Sequence, residues 1–226
     1  MIEDDQILIL LQHGDSFFPS GAISFSWGLE MLKNDKVITS ISGVESFIEC
    51  QLLYRWGSFE RVVLAHCFDR ANDFETVIPV DNLVECMTFS SELREGSKRL
   101  GSALLATYSK LNNPVAQQYQ TLIQKNHAYG HLPIAQGLIW NSIGLSKTPV
   151  LMLSAYNFCI SVLSAALRLG LISHIDCQQS LIKLRELISE ILTWPIPDVE
   201  EIHGFTPFSD IASMRHENSD TRLFAN

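Results

Sequence analysis

The chain of 226 residues is poor in basic side chains, with 16 Lys and Arg against 25 Asp and Glu and a formal net charge of -9. That balance excludes a nucleic-acid binder, because neutralising phosphates takes a basic surface. Cysteine is sparse and odd in number: five residues, Cys50, Cys67, Cys86, Cys159 and Cys177, none of them in a Cys-x-x-Cys pair. Neither a disulfide framework nor a zinc site is built that way, and a reducing compartment is expected. The Gly-x-x-x-x-Gly-Lys-Ser/Thr loop is missing, which removes nucleotide binding of the P-loop kind. Linker composition is missing too, so one domain over residues 1–226 is expected. Residues 1–5 are acidic and the apolar run at 7–11 is short, which argues against a secretory leader and for a cytoplasmic protein.

Strand patterning is equally scarce. The stretch 37–41 is the only β-branched alternation, and one strand makes no sheet. With 46% hydrophobic and 18% charged residues the chain can bury a sizeable core. The fold class expected is therefore all-α, a single-domain multi-helix bundle of about eight to ten helices at the usual length of roughly 11 residues.

Helical periodicity supports this. Between residues 42 and 70, Ser42 and Glu45 make a capping box, and Phe47, Ile48, Leu52, Trp56, Phe59, Val63 and Phe68 share a face, with Gly57 a candidate break. Over 81–111, Leu83, Met87, Leu93, Leu100, Leu104, Tyr108 and Leu111 recur at helical steps, and Glu95 precedes Arg99 by four. Gly96 and Gly101 each cost about 1 kcal/mol against Ala and mark where that helix would break. A further helix starts at Asp176 as N-cap and is stopped by Pro195 and Pro197. The residues between Lys147 and Arg168 are apolar almost all round and long enough to span a bilayer. Ser154, Asn157, Ser161 and Ser164 inside the run favour a central helix buried on every side. Small residues such as Ser161 and Ala165 would let a neighbouring helix approach. The same face suits self-association, which makes Tyr156, Ser161 and Ala165 candidate dimer-interface residues.

Candidate chemistry is thin. An apolar run leads into Gly14-Asp15-Ser16, the way one class of serine esterases presents its nucleophile, with Glu201 and His203 as conceivable acid and base. The strand-and-helix alternation and oxyanion loops of that class are missing, so Ser16 reads as a turn residue. His127 and His131 have metal-ligand spacing, but Gly130 and Pro133 interrupt a shared helix face. The pair His174 and Cys177 is a second candidate for metal ligation.

Two terminal stretches differ from the rest. Residues 17–30 carry Pro19, Gly21 and Gly28 as punctuation and Phe17, Phe18, Phe25 and Trp27 as exposed aromatics. Residues 209–226 interleave Ile211, Met214, Leu223 and Phe224 with Arg215 and Arg222. Four apolar side chains at about 2 kcal/mol each fall well short of the ordering cost of such a segment, roughly 1 kcal/mol or more per residue. By itself the tail is expected to be weakly held and completed by a partner.

These stretches resemble the urease accessory protein F (UreF) family. Phe18, Pro19, Gly21, Phe25, Gly28, Leu29 and Glu30 are similar to its Phe-Pro-x-Gly…Gly-Leu-Glu pattern. Asp210, Ile211, Met214, Arg215, His216, Glu217, Arg222, Leu223 and Phe224 are similar to its closing Ile-x-x-Met-(Arg/Gln)-His-Glu-x4-Arg-Leu-(Phe/Tyr) pattern. The stretch 128–170 follows the family layout of a Gly turn, a helix, a second turn and a long apolar helix. One departure stands out: after the apolar helix the chain has Ser173-His174-Ile175-Asp176-Cys177-Gln178, lacking a Gly and a Gln that the family usually has there.

The resemblance implies a non-catalytic homodimeric chaperone without a cofactor of its own. It would assemble with accessory protein D (also called H) and the GTPase accessory protein G on apo-urease, so that GTP hydrolysis drives nickel insertion. The partner-binding segments would be about 1–30 and 205–226. If the family modulates the GTPase, Arg215 or Arg222 would be the residue to act.

Overall fold

The computed structural model describes residues 4–15, 18, 25–217, 219 and 222–224. Eleven α-helical segments follow in order: α1 (Asp4–Gly14), α2 (Leu29–Asn34), α3 (Ile41–Gln51), α4 (Arg61–Asp69), α5 (Phe74–Met87), α6 (Ser91–Lys110), α7 (Pro114–Gln124), α8 (Leu132–Ser142), α9 (Lys147–Arg168), α10 (His174–Thr193) and α11 (Pro207–His216). A π-helical segment, Leu52–Glu60, joins α3 to α4 without a break, so 41–69 is one rod and the helices number ten among the described residues. The same residues contain no strand; 37–40 is a bend that leads into an N-cap. The chain is all-α.

Local chemistry explains the boundaries, and several differ from expectation. The N-cap of α3 is Ser40, not Ser42: its extended backbone lets its hydroxyl accept from Gly43 N. Glu45 turns away from that cap and receives Lys183 Nζ and Ser180 Oγ from α10. The cap of α10 is Ser173, and Asp176 sits at its third position, where the two close a reciprocal capping box. The long periodic stretch 81–111 breaks at 88–90 instead of at its glycines. Ser90 caps α6 there, while Gly96 and Gly101 lie inside α6. A Cβ on Gly96 would run into the ring of Phe25 and one on Gly101 into the backbone of Gly130, so close packing outweighs their intrinsic helix cost. Glu95 pairs with Lys98 and not with Arg99, whose guanidinium lies 5.1 Å from the Phe25 ring centre. Leu111 is exposed at the C-cap.

Gly57 does not break its rod but sits in the widened π turn, where Arg61 compensates for the altered ladder. Its guanidinium donates to Gly57 O (3.0 Å), Trp194 O (3.1 Å) and Pro195 O (3.0 Å). Arg61 is buried, which lowers its pKa by desolvation, and it fastens the C-terminal end of α10 to the rod.

Two adjoining apolar clusters form the core. The first gathers α5–α8, the α4 half of the rod and Val150, Leu151 and Leu153 of α9. The second gathers α2, α3, α10, Trp56 and the Ala155–Ala166 half of α9, closed by Ala212 and Phe224. In α8, Gly137 lets α4 come so close that a Cβ would lie 2.8 Å from Cys67 Cβ and from Leu64 O. The carboxylate of Asp81 is fully buried, yet it accepts from Tyr119 Oη (2.9 Å) and from the backbone N of Tyr129 (2.7 Å), Gly130 (2.7 Å) and His131 (3.2 Å), just before α8. Four donors and a helix N-terminus satisfy a charge that would otherwise be costly there.

The helix α9 is long and apolar enough to cross a membrane, but 67% of that stretch is buried inside the protein. It is not covered on every side: Thr148, Met152 and Tyr156, four residues apart, remain open.

Candidate functional site

The two unusual terminal stretches meet each other. Trp27 and Gly28 turn the chain into α2, and Gly28 has φ +85°, a left-handed conformation that suits glycine. The choice of residue has a second reason, since a Cβ there would lie 2.8 Å from Ser209 O and 3.2 Å from Ala212 Cβ. Helix α11 thus packs directly on the turn, and Ser209 Oγ donates to Trp27 O at 2.7 Å.

This packing buries a charged cluster. Glu30 is 6% exposed and its Oε2 lies 3.1 Å from His216 Nε2. The opposite ring nitrogen, Nδ1, lies 2.9 Å from Glu92 Oε2, and His216 is fully buried between the two carboxylates. Glu30 also accepts the backbone N–H of Leu223 (2.9 Å) and Phe224 (3.2 Å). Arg222 pairs with Glu92 at 3.3 Å and donates to Glu217 O. Glu217 accepts from Ser91 Oγ (2.7 Å) and Glu92 N (3.3 Å), a carboxylate placed where the N-terminus of α6 attracts one. Phe224 is buried beneath Arg168, whose guanidinium carbon stands 4.2 Å from its ring centre. Arg215 pairs with Asp35 on the outside. Further along α11, Arg55 bridges Glu60 (2.9 Å) and Asp210 (3.4 Å), and burial raises the Asp210 pKa.

The tail is therefore held by its own chain, contrary to the weak retention expected from its apolar residues alone. The expectation failed because it counted only apolar area, while the segment carries His216 and Arg222 to carboxylates waiting on α2 and α6. Phe25, Leu29, Glu30, His216 and Phe224 are buried and cannot themselves touch a partner in this state. Phe18 packs on His13 at a ring distance of 4.3 Å, and Trp27 donates to Ser161 Oγ at 3.2 Å. Ser161 and Ala165 are likewise buried inside the chain, which corrects their placement on a dimer surface, whereas Tyr156 is open to solvent. Pro19, Gly21, Ser16 and Phe17 lie outside the described residues.

What α11 leaves open is apolar. Phe208 is 73% exposed, Ile211 56%, Met214 38%, the preceding Phe205 75% and Leu223 60%. Residues 208, 211 and 215 share one side of the helix, opposite the buried Ser209, Ala212, Ser213 and His216.

Of this cluster, Glu92, Asp35 and Arg168 were not singled out from sequence. Glu92 lies in the first turn of α6, directly before buried Leu93, and a charged residue there reads as a favourable dipole contact in solvent.

The other candidates separate. The run before Gly14-Asp15 is helix α1, so the strand-to-helix turn of an esterase nucleophile is not built. His203 is exposed, with Nδ1 3.0 Å from the backbone O of Glu201. His131 is fully buried against Glu85 (2.8 Å) while His127 is exposed, so the two share no face. Among the described residues no group of three or more His, Cys, Asp or Glu side chains is arranged to hold a metal ion.

A family model described as UreF matches residues 38–185. Over their full lengths, this chain and the protein named urease accessory protein UreF of Trichodesmium erythraeum (strain IMS101) are 31% identical across 235 aligned positions, covering 100% of each. The protein of the same name from Actinobacillus pleuropneumoniae serotype 5b (strain L20) is 28% identical over 97% of this chain and 98% of its own. That of Haemophilus influenzae (strain PittGG) is 29% identical over 95% and 93%. Both terminal motifs fall outside the family-model match but inside the span shared with the Trichodesmium relative.

Proposed function

Since this chain belongs to the UreF family of urease accessory proteins, we propose that it serves urease maturation in the cytoplasm as a non-catalytic assembly protein whose docking face is the outer side of α11. The observation that carries this reading is the two-sidedness of α11: its inner side is fixed by Glu30, Glu92 and Gly28, while its outer side leaves large apolar groups in water. Apolar patches of this kind mark protein contacts, and aromatic residues and Met are enriched in such contacts. Accessory protein D/H is the partner assigned to this face, and the GTPase accessory protein G joins the assembly, which acts on apo-urease to insert nickel. Arg215 and Arg222 are paired within the chain with Asp35 and Glu92, which supports an intramolecular role for both.

A homodimer belongs to the same proposal. Leu8 and Leu11 of α1 are about two-thirds exposed, and Met152 and Tyr156 of α9 stand beside Leu10, Pro149 and Leu153 in a shallow groove. A second copy would cover that apolar surface.

The test is a pull-down of accessory protein D/H with the double variant Phe208→Asp/Ile211→Asp. Both residues are exposed, so the variant should fold and keep its thermal midpoint. Capture of the partner and urease activation in cells should be lost. Undiminished capture by the folded variant would move the docking face elsewhere.

A further inference from the structure

The C-terminal motif offers two side-by-side basic residues, Arg215 and His216, in unlike surroundings. The Arg215 side chain is 55% exposed and pairs with Asp35 at the surface, an arrangement that contributes little to stability. His216 is fully buried, with one carboxylate at each ring nitrogen. Ionised carboxylates only accept hydrogen bonds, so for both contacts to be hydrogen bonds both nitrogens must carry protons. With both carboxylates ionised, the ring that satisfies both contacts is an imidazolium. Among the described residues, Glu30 and Glu92 face His216 and Arg222. Glu217, close by, accepts from Ser91 Oγ and from the backbone N–H of Glu92 in the first turn of α6. The two contacts of His216 span 186 and 124 residues of sequence, tying α11 at once to α2 and to α6.

Resting on the docking reading above, we propose that His216 is the positioning residue of that face: its imidazolium clamps α11 between α2 and α6, so that Phe208, Ile211 and Met214 point outward in a fixed array. Without the positive ring, two carboxylates would face each other across a space that excludes water. Their repulsion, together with the loss of both hydrogen bonds, would push α11 off the body of the protein. The partner would then meet a mobile segment and not a preformed face, with the ordering cost added to binding.

The test compares amide hydrogen exchange over residues 207–217 in the free full-length protein with capture of accessory protein D/H. His216→Gln, which is uncharged, should speed exchange there about tenfold or more and weaken capture in step. Arg215→Gln, which breaks only the exposed pair, should move exchange less. The triple variant Glu30→Gln/Glu92→Gln/His216→Gln has no buried charge and keeps donors and acceptors at all three positions. It should recover slow exchange, which a merely space-filling histidine would not explain. Unchanged exchange in His216→Gln, or a triple variant as fast as the single one, would overturn the clamp. If His216→Gln fails to fold, Glu92→Gln decides by the same readout, with faster exchange expected and unchanged exchange against the proposal. Should the wild-type protein show slow exchange here yet capture no partner, the docking reading falls while the exchange comparison still judges His216.

Discussion

Acid should destabilise this protein through His13, at the end of α1. The ring is 5% exposed, between Phe18, Tyr108 and Trp140. Trp140 Nε1 can only donate, so at 3.2 Å it fixes His13 Nδ1 as the acceptor, and Nε2–H donates to the Tyr108 hydroxyl at 2.6 Å. Burial lowers the His13 pKa from 6.5 to about 4. The sign follows from which state takes up the proton first. Between those two values the unfolded chain binds a proton that the folded one refuses, so stability is complete above pH 6.5 and falls as pH drops toward 4. The loss is about 1.4 kcal/mol per pH unit and roughly 3 kcal/mol in all. His66 and His131, whose pKa values burial also lowers, act in the same direction. The variant His13→Gln isolates the His13 share, because glutamine can accept from Trp140 and donate to Tyr108 without titrating. Urea unfolding followed by circular dichroism should show it about 1 kcal/mol less stable than wild type at neutral pH, from imperfect hydrogen bonding. Its loss between pH 6.5 and about pH 4.5 should be smaller than the wild-type loss by about 2 kcal/mol. Parallel loss in both proteins would refute the reasoning.

Tyr156→Asp places a charge in the α1–α9 groove of each copy, so light scattering should report a monomer whose thermal midpoint is nearly that of the wild type; a dimer that persists puts the interface on another face. Arg61→Met removes the donors to three carbonyls while keeping the length of the side chain, and chemical denaturation should show a loss of about 2 kcal/mol, the unmet carbonyls outweighing the relief of a desolvated guanidinium. A loss below about 0.5 kcal/mol would mean that the π turn does not depend on Arg61.

Periodicity located the rod 41–69, the stretch holding α5 and α6, α9 and α10, because apolar spacing survives any tertiary detail. The face from Phe47 to Phe68 is buried throughout, and α9 is the core helix that its apolar run implied. Boundaries were less legible. Ser40 and Ser42 both suit an N-cap, and only the extended backbone at Ser40 decides between them. Gly96 and Gly101 looked like breaks because intrinsic propensity was weighed without knowing that Phe25 and Gly130 would press against them. The docking of the two chain ends was hidden for a related reason. Glu30, Glu92 and His216 are side chains of kinds usually found at the surface, and nothing in local sequence says that three such groups will satisfy one another in the interior. The family pattern drew attention to Glu30 and His216 without revealing that they touch.

The closure of α11 on α2 also orders events in time. During synthesis Glu30 emerges 186 residues before His216, so neither the Glu30 carboxylate nor the left-handed turn at Gly28 can be covered by α11 until residues 207–216 have been made. Closing so long a loop adds little entropy beyond that of a shorter one, since the penalty grows only logarithmically. The wait is set by translation. Until it ends, the nascent protein has no α11 in place, and an incomplete chain cannot display the apolar face proposed for docking.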